Sequence, residues 1–145
     1  MSSYKIQHRL ITNTIKRILE NDSRLAGVKE IIIGEKERIG ALVFPCIFIV
    51  PGRDEIKDEE MPNRQEHAIG FNIVCLLKDR DLQAGMPEVV DLGGDIHDVF
   101  KENRDLQGTC LYLDLNAVDP GYGRGADNKT ILHYCSVEIT VHFIM

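Results

Sequence analysis

Residues 131–145 read ILHYCSVEITVHFIM, and this stretch decides the fold. Its odd-numbered positions are apolar except for one histidine, which can pack against apolar neighbours, whereas most of its even-numbered positions are polar. A period of two that lasts this long, in a run rich in β-branched residues, predicts a half-buried β-strand. The predicted buried face consists of Ile131, His133, Cys135, Val137, Ile139, Val141 and Phe143. Because this face is apolar, the rest of the chain is expected to supply neighbouring strands and a cover.

Four further segments predict strands, at residues 28–33, 44–52, 67–78 and 109–115. The second of them is bracketed by Pro45 at its start and by Pro51 and Gly52 at its end. Proline cannot donate a ladder hydrogen bond, and the Pro-Gly pair is typical of a turn, so we expect this strand to end there. The third segment becomes apolar on both faces near its end, which predicts a central place in the sheet.

Two segments predict amphipathic helices. Apolar residues recur at intervals of three and four in residues 6–19, opposite a largely basic face, and the helix is expected to end near Asn21. The same spacing predicts a second helix from about Val89 to Asn103, after a connection at residues 79–87. This helix contains Gly93 and Gly94, each costing about 1 kcal/mol relative to alanine. We therefore expect either a kink or a close neighbour at this pair.

The order of these elements predicts an α+β fold, with a mostly antiparallel sheet of four to five strands and two helices covering one face. A chain of 145 residues is most simply one domain, residues 1–145, because this length buries roughly two thirds of its unfolded surface. The first residues contain no apolar signal region, and no apolar run approaches the ~20 residues of a membrane span. A cytoplasmic protein is therefore expected.

Two polar segments, residues 53–66 and 119–129, are predicted to protrude as loops. The first is either a mobile surface loop or a docking arm that becomes ordered on a partner. Its candidate contact residues are Arg53, Asp54, Glu55, Lys57, Asp58, Glu59 and Arg64. The second is a glycine-rich hairpin loop that offers Tyr122 and Arg124 to a partner. A third candidate surface is the polar face of the last strand, with Tyr134, Glu138 and Thr140, because no predicted helix is left to cover it.

The chain contains no motif of an active site, a cofactor site or a metal site. The glycines at residues 121–125 precede a strand, whereas loops that bind phosphate open a helix. Acidic residues cluster around His97 on the second helix, but no further histidines converge on them, so a solvated face is expected. The four cysteines are widely spaced, which predicts buried free thiols: Cys46, Cys75, Cys110 and Cys135. The net charge of -6 argues against binding to the outside of nucleic acid.

The order and spacing of these segments resemble the tail terminator, or tail completion, proteins of long-tailed bacteriophages. The shared features are an N-terminal amphipathic helix, a strand bracketed by prolines at residues 44–52, a long polar arm, a strand at residues 67–78, a covering helix, and two closing strands joined by a glycine-rich loop. Related proteins that join phage heads to tails have the same layout.

This resemblance implies a structural protein that is not an enzyme and needs no cofactor. Such a protein assembles in the host cytoplasm as a homo-oligomeric ring, a hexamer, on the head-proximal end of the tail tube, where it becomes part of the virion tail. It stops polymerisation of the tail tube protein and offers a surface to the head-tail connector protein. DNA passes through the lumen of the ring without specific binding. The competing interpretation is an α+β domain that binds a small ligand or acts as an enzyme.

Overall fold

The computed structural model describes residues 3–34, 43–58, 64–79, 81–124 and 129–145. Within these residues it contains two α-helices, a short 3-10 helix and five strands. The helices are α1 (Tyr4–Asn21) and α2 (Leu82–Glu102), and the 3-10 helix is Ser23–Leu25. The strands are β1 (Glu30–Ile33), β2 (Cys46–Asp58), β3 (Gln65–Asp79), β4 (Tyr112–Arg124) and β5 (Ile131–Ile144).

The five strands form one sheet in the order β1-β2-β3-β5-β4. The short strand β1 pairs with β2 in parallel, and all other pairs are antiparallel. Both helices pack on one face of this sheet, α1 over β1 and β2 and α2 over β3, β5 and β4. The predicted α+β fold, with a mostly antiparallel sheet and two covering helices, is therefore confirmed.

The main core lies between the helices and the face of β5 that holds its odd-numbered residues. Every odd position from Ile131 to Phe143 is buried, including His133, as the alternation of the last strand predicts. The register places Cys75 of β3 opposite Cys135 of β5, with Ile47 of β2 next to Cys75 on the same face. The final strand thus lies inside the sheet, between β3 and β4, where its apolar residues pack beneath α2.

A second and smaller apolar cluster lies on the opposite face of the sheet. Cys46 and Phe48 are buried there, and the partly buried residues packed against them are Ile32, Phe44, Val50, Val74 and Leu76. This cluster explains why the third predicted strand is apolar on both faces near its end. Among the described residues, no helix lies on this side, which we call the open face.

Helix α2 begins earlier than its apolar spacing predicts. Asp81 caps it by accepting a hydrogen bond from the Gln83 backbone at 2.9 Å, so Leu82 to Glu88 are helical rather than a connection. Pro87 lies inside the helix, but its missing N–H removes only one helical hydrogen bond, the bond to the carbonyl four residues before it. The prediction of a connection at residues 79–87 is therefore wrong from Leu82 onwards.

Strand β2 does not end at Pro51 and Gly52. It continues to Asp58, with an irregularity in its register between Pro51 and Asp54. The pairing with β1 stops at Ile49, so Pro51 lies beyond the part of β2 that has a described neighbour on both sides. A proline at the free edge of a strand breaks no ladder bond. The predicted turn is wrong, and this outer part of β2 pairs with β3 instead.

Strand β4 also runs past its predicted end. It begins at Tyr112, not Thr109, and continues through Pro120 to Arg124, paired with β5 along its length. β4 is the edge strand of the sheet, so the backbone nitrogen of Pro120, which cannot donate a hydrogen bond, can face the free edge. The predicted loop at residues 119–129 is therefore strand up to Arg124, and residues 125–128 of that loop lie outside the described part of the chain.

Candidate assembly surfaces

The first candidate surface is the outer part of the β2–β3 hairpin, residues 53–58 and 64–66, which we call the hairpin arm. The sequence predicts a loop here, but Asp54 to Asp58 pair with Gln65 to Ile69 in a regular antiparallel ladder. Four of the candidate contact residues in β2 are exposed, namely Arg53, Glu55, Lys57 and Asp58, and Arg64 is exposed as well. Glu59 lies outside the described residues. Gln65 and Glu66 pair in turn with the end of β5, so the described part of the arm belongs to the sheet and presents its exposed side chains to solvent.

Asp54 is the exception on the hairpin arm, because its carboxylate points inward. Its Oδ2 lies 2.7 Å from Nδ1 of His67, and its Oδ1 accepts a hydrogen bond from the Ala68 backbone at 3.1 Å. The His67 side chain is only 2% exposed and stacks on the ring of Phe143 at 4.6 Å between ring centroids. Asp54 therefore anchors the arm to the body, and its predicted contact with a partner stays a prediction.

Tyr4 closes this anchor from the side of α1. Its ring lies 5.5 Å from that of His67, measured between centroids. Partial burial, and to a smaller extent the hydrogen bond and negative charge of Asp54, raise the pKa of the Tyr4 hydroxyl. Long-range pairing creates the Tyr4, Asp54 and His67 group, so no local motif reveals it. The only sequence signal is that His67 has the same parity as the apolar residues of β3.

The second candidate surface is the open face, where the three predicted residues of β5 lie. Tyr134 is exposed and packs over Gly121 of β4, where a Cβ atom would lie 2.3 Å from the tyrosine ring. Thr140 Oγ1 accepts a hydrogen bond from Asn116 at 3.2 Å. Glu138 and Thr140 border a depression of about 260 Å³, whose floor is open because Gly70 has no side chain.

The alternation of the paired strands decides which candidate residues share a surface. Glu55 pairs with Ala68, which pairs in turn with His142. Lys57 pairs with Glu66, which pairs in turn with Ile144. Both therefore lie on the open face with Glu138 and Thr140. Tyr122 pairs with His133 and therefore lies on the helix side. Arg124 has the same parity as Tyr122. The structure thus places Glu55 and Lys57 of the arm on the same face as the β5 residues, and it places Tyr122 and Arg124 on the other face.

The described residues offer little for catalysis. No group of three or more histidine, cysteine, aspartate or glutamate side chains is placed to hold a metal within the described ranges. The Asp54–His67 pair resembles half of a catalytic triad, but it is sealed from solvent between α1 and Phe143. His97 and Asp98 contact each other on the exposed side of α2.

Burial raises the pKa of the Cys110 thiol to about 11, and a hydrogen bond with Cys135 raises the pKa of the Cys75 thiol.

None of the described helices combines the length and apolar character that a membrane span requires.

No protein-family model matches the sequence, and no curated protein matches it either. Solved structures do match in fold. One of them is a chain of a structure described as the virion of a native gene transfer agent particle, with a TM-score of 0.53 and 10% sequence identity. The alignment covers 90% of this chain and 93% of that chain. At this identity the likeness shows a shared fold over nearly the whole length of both chains.

Proposed function

We propose that this chain is a structural protein of a phage-like particle, and specifically the tail terminator at the head-proximal end of the tail tube. The observation that carries the proposal is the fold shared over 90% of this chain and 93% of a chain from a gene transfer agent virion. The order of helices, strands and polar arm, which resembles that of tail terminators, supports the finer assignment.

In this proposal the chain forms a homo-oligomeric ring, a hexamer, that stops addition of the tail tube protein and offers a surface to the head-tail connector protein. The two surfaces suited to these partners are the hairpin arm and the open face. The arm projects exposed charges of both signs, Arg53, Lys57 and Asp58 among them. The open face combines polar side chains such as Glu138 with exposed aromatic area at Tyr134. Aromatic area with a polar rim is typical of protein interfaces.

The acidic balance of the chain fits a ring through which DNA passes. The net charge of the chain is -6. Like charge disfavours the phosphate contacts that would hold DNA in place. The lumen of the ring would therefore let DNA slide without specific binding.

Removal of the gene from the cell that makes the particle tests this function. We expect filled heads separated from tails, and tails of irregular and excessive length, because nothing stops the tube or joins it. Electron microscopy of the lysate measures both effects. Joined particles with tails of normal length would contradict the proposal.

The same cells test the hairpin arm by complementation. A shortened variant replaces residues 58–65 with Asn-Gly, a pair that favours a two-residue hairpin turn, and keeps Asp54 and His67 in place. We expect it to fold as the wild-type chain does but to leave heads and tails unjoined. Wild-type levels of joined particles with this variant would show that residues 58–65 contact no essential partner.

A further inference from the structure

The two ends of the sheet carry unlike surfaces. At the β1 end, α1 and the strand edges enclose a groove of about 490 Å³, lined by Lys5, Arg9, Ile33 and Pro51 among others. Lys5 and Arg9 are exposed, and neither has an ion-pair partner among the residues that the structure describes. Helix α1 carries only one acidic residue, Glu20, against its four cations, of which Arg17 does not line the groove and donates a hydrogen bond to Gln107: Lys5, Arg9, Lys16 and Arg17. We call this surface the cationic end.

At the β4 end, an apolar ridge lies beside an acidic helix. Val90 of α2 and Val118 and Tyr122 of β4 are 42%, 41% and 53% exposed. Val118 lies on the α2 side of the sheet, because its Cγ1 would be 3.9 Å from a Cβ atom at Gly93. Helix α2 has one cation, Lys101, against its five acids, of which Glu102 is paired with Arg24: Glu88, Asp91, Asp95, Asp98 and Glu102. We call this surface the acidic end.

We infer that the cationic end of one copy of this chain binds the acidic end of the next copy. The two ends carry opposite charges. The groove at the cationic end is bordered by Ile33, and the apolar ridge at the acidic end can fill it. Beyond Leu113, whose backbone exchanges hydrogen bonds with Arg104, the outer edge of β4 pairs with no described strand, and proteins cover or pair such edges. Desolvation of Val90, Val118 and Tyr122 supplies the apolar centre of the contact, and the charged helices fix its direction.

The contact is heterologous, because two different surfaces meet. Repetition of a heterologous contact produces a closed ring or an open filament, whereas contact between identical surfaces stops at a dimer. This inference rests on the proposed function for the expectation that the ring closes. It goes beyond that function by assigning the subunit contact to the two ends, which leaves the open face and the hairpin arm free for the other virion proteins.

Charge reversal at each end tests the inference. One double variant carries Lys5→Glu and Arg9→Glu, and the other carries Asp91→Lys and Asp98→Lys. All four residues are exposed, so both chains should fold, which circular dichroism checks. Analytical ultracentrifugation over a range of concentrations measures assembly. We expect the wild-type chain to form a closed oligomer, and each variant alone to need at least tenfold higher concentration.

Mixing the two variants is the decisive measurement. In a mixture each reversed end faces a reversed partner and each native end faces a native one, so an alternating oligomer should form near the wild-type concentration. Lys78→Glu, an exposed charge reversal in the interior strand β3, serves as a control outside both ends and should assemble as the wild-type chain does.

Three outcomes would overturn the inference: assembly of either variant alone at the wild-type concentration, a mixture that stays dissociated, or a wild-type chain that is monomeric at every concentration or stops at a dimer. These results would leave the proposed place in the particle standing if loss of the gene still produced unjoined heads and overlong tails. Conversely, the charge-reversal variants could behave as expected while removal of the gene leaves particles normal. That combination would reject the proposed function and keep the contact between copies.

Discussion

At the scale of single residues, the base of the hairpin arm is held by one buried hydrogen-bonded pair, Asp54 and His67. Asp54 lies at the base of an exposed ribbon, yet its carboxylate accepts bonds from both His67 and the Ala68 backbone. The bulge between Pro51 and Asp54 turns this side chain inward while Arg53 and Glu55 remain exposed. A single register shift thus converts a charged position on the arm into its anchor.

Asp54→Ala should destabilise the protein by about 2 to 3 kcal/mol, because it leaves the buried His67 ring and the Ala68 amide without their partner. His67 Nε2 has no hydrogen-bond partner among the described residues, so the ring would lose its remaining hydrogen bond there. Urea unfolding followed by circular dichroism measures the change. Glu55→Gln, in the next and exposed residue, is the control and should change stability by less than about 0.5 kcal/mol. Equal effects of the two substitutions would show that the pair is not an anchor.

Residue-scale predictions from the sequence succeed where alternation decides them. The burial of His133 and Cys135 follows directly from the period of two in β5. The inward side chain of Asp54 does not follow, because a bulge resets the alternation and leaves no local signal. The candidate residues Tyr134, Glu138 and Thr140 share one face of β5, but their role in contacts stays a prediction.

At the scale of elements, Gly85 and Gly93 of α2 allow this helix to pack closely against β5. A Cβ atom at Gly93 would lie 2.3 Å from Cys135 Sγ, and one at Gly85 would lie 2.1 Å from the His133 ring. Of the two explanations that the sequence leaves open for the Gly93–Gly94 pair, close packing is therefore the one that applies at Gly93. Gly94 faces open space.

Gly93→Ala should cost about 1 to 3 kcal/mol, because the added methyl group must push α2 away from β5. Gly94→Ala, one residue further along the same helix, should be neutral or stabilise the protein by up to about 1 kcal/mol through its better helix propensity. Thermal and urea unfolding of the two variants gives the comparison directly. If both substitutions shifted stability in the same direction by similar amounts, the close contact with Cys135 would be wrong.

The predicted elements differ from the observed ones where proline and glycine dominate the sequence. Pro51 with Gly52 and Pro120 with Gly121 are typical of turns, yet both pairs lie within strands. At both places a free sheet edge removes the cost of the missing N–H. At Gly121 the ring of Tyr134 also covers the missing side chain. These are effects of the sheet as a whole, which local sequence patterns do not contain.

At the scale of the whole molecule, α1 and α2 lie side by side on one face of the sheet, α1 over β1 and β2 and α2 over β3, β5 and β4. The sequence shows a basic first helix and an acidic second helix, but it does not show over which strands each helix lies. The order β1-β2-β3-β5-β4 places the groove beside Lys5 and Arg9 at one end of the sheet and Val118 and Tyr122 of β4 at the other. That separation is what allows like copies to associate head to tail.

The central claim is that this chain is part of a phage-like particle and lies where the tail meets the head. Immunogold electron microscopy of purified particles, with an antibody against the chain, tests it most directly. The account predicts gold at the head-proximal end of the tail on intact particles, and on the same single end of isolated tails. Particles without the chain, or gold spread along the tube or over the head, would contradict it.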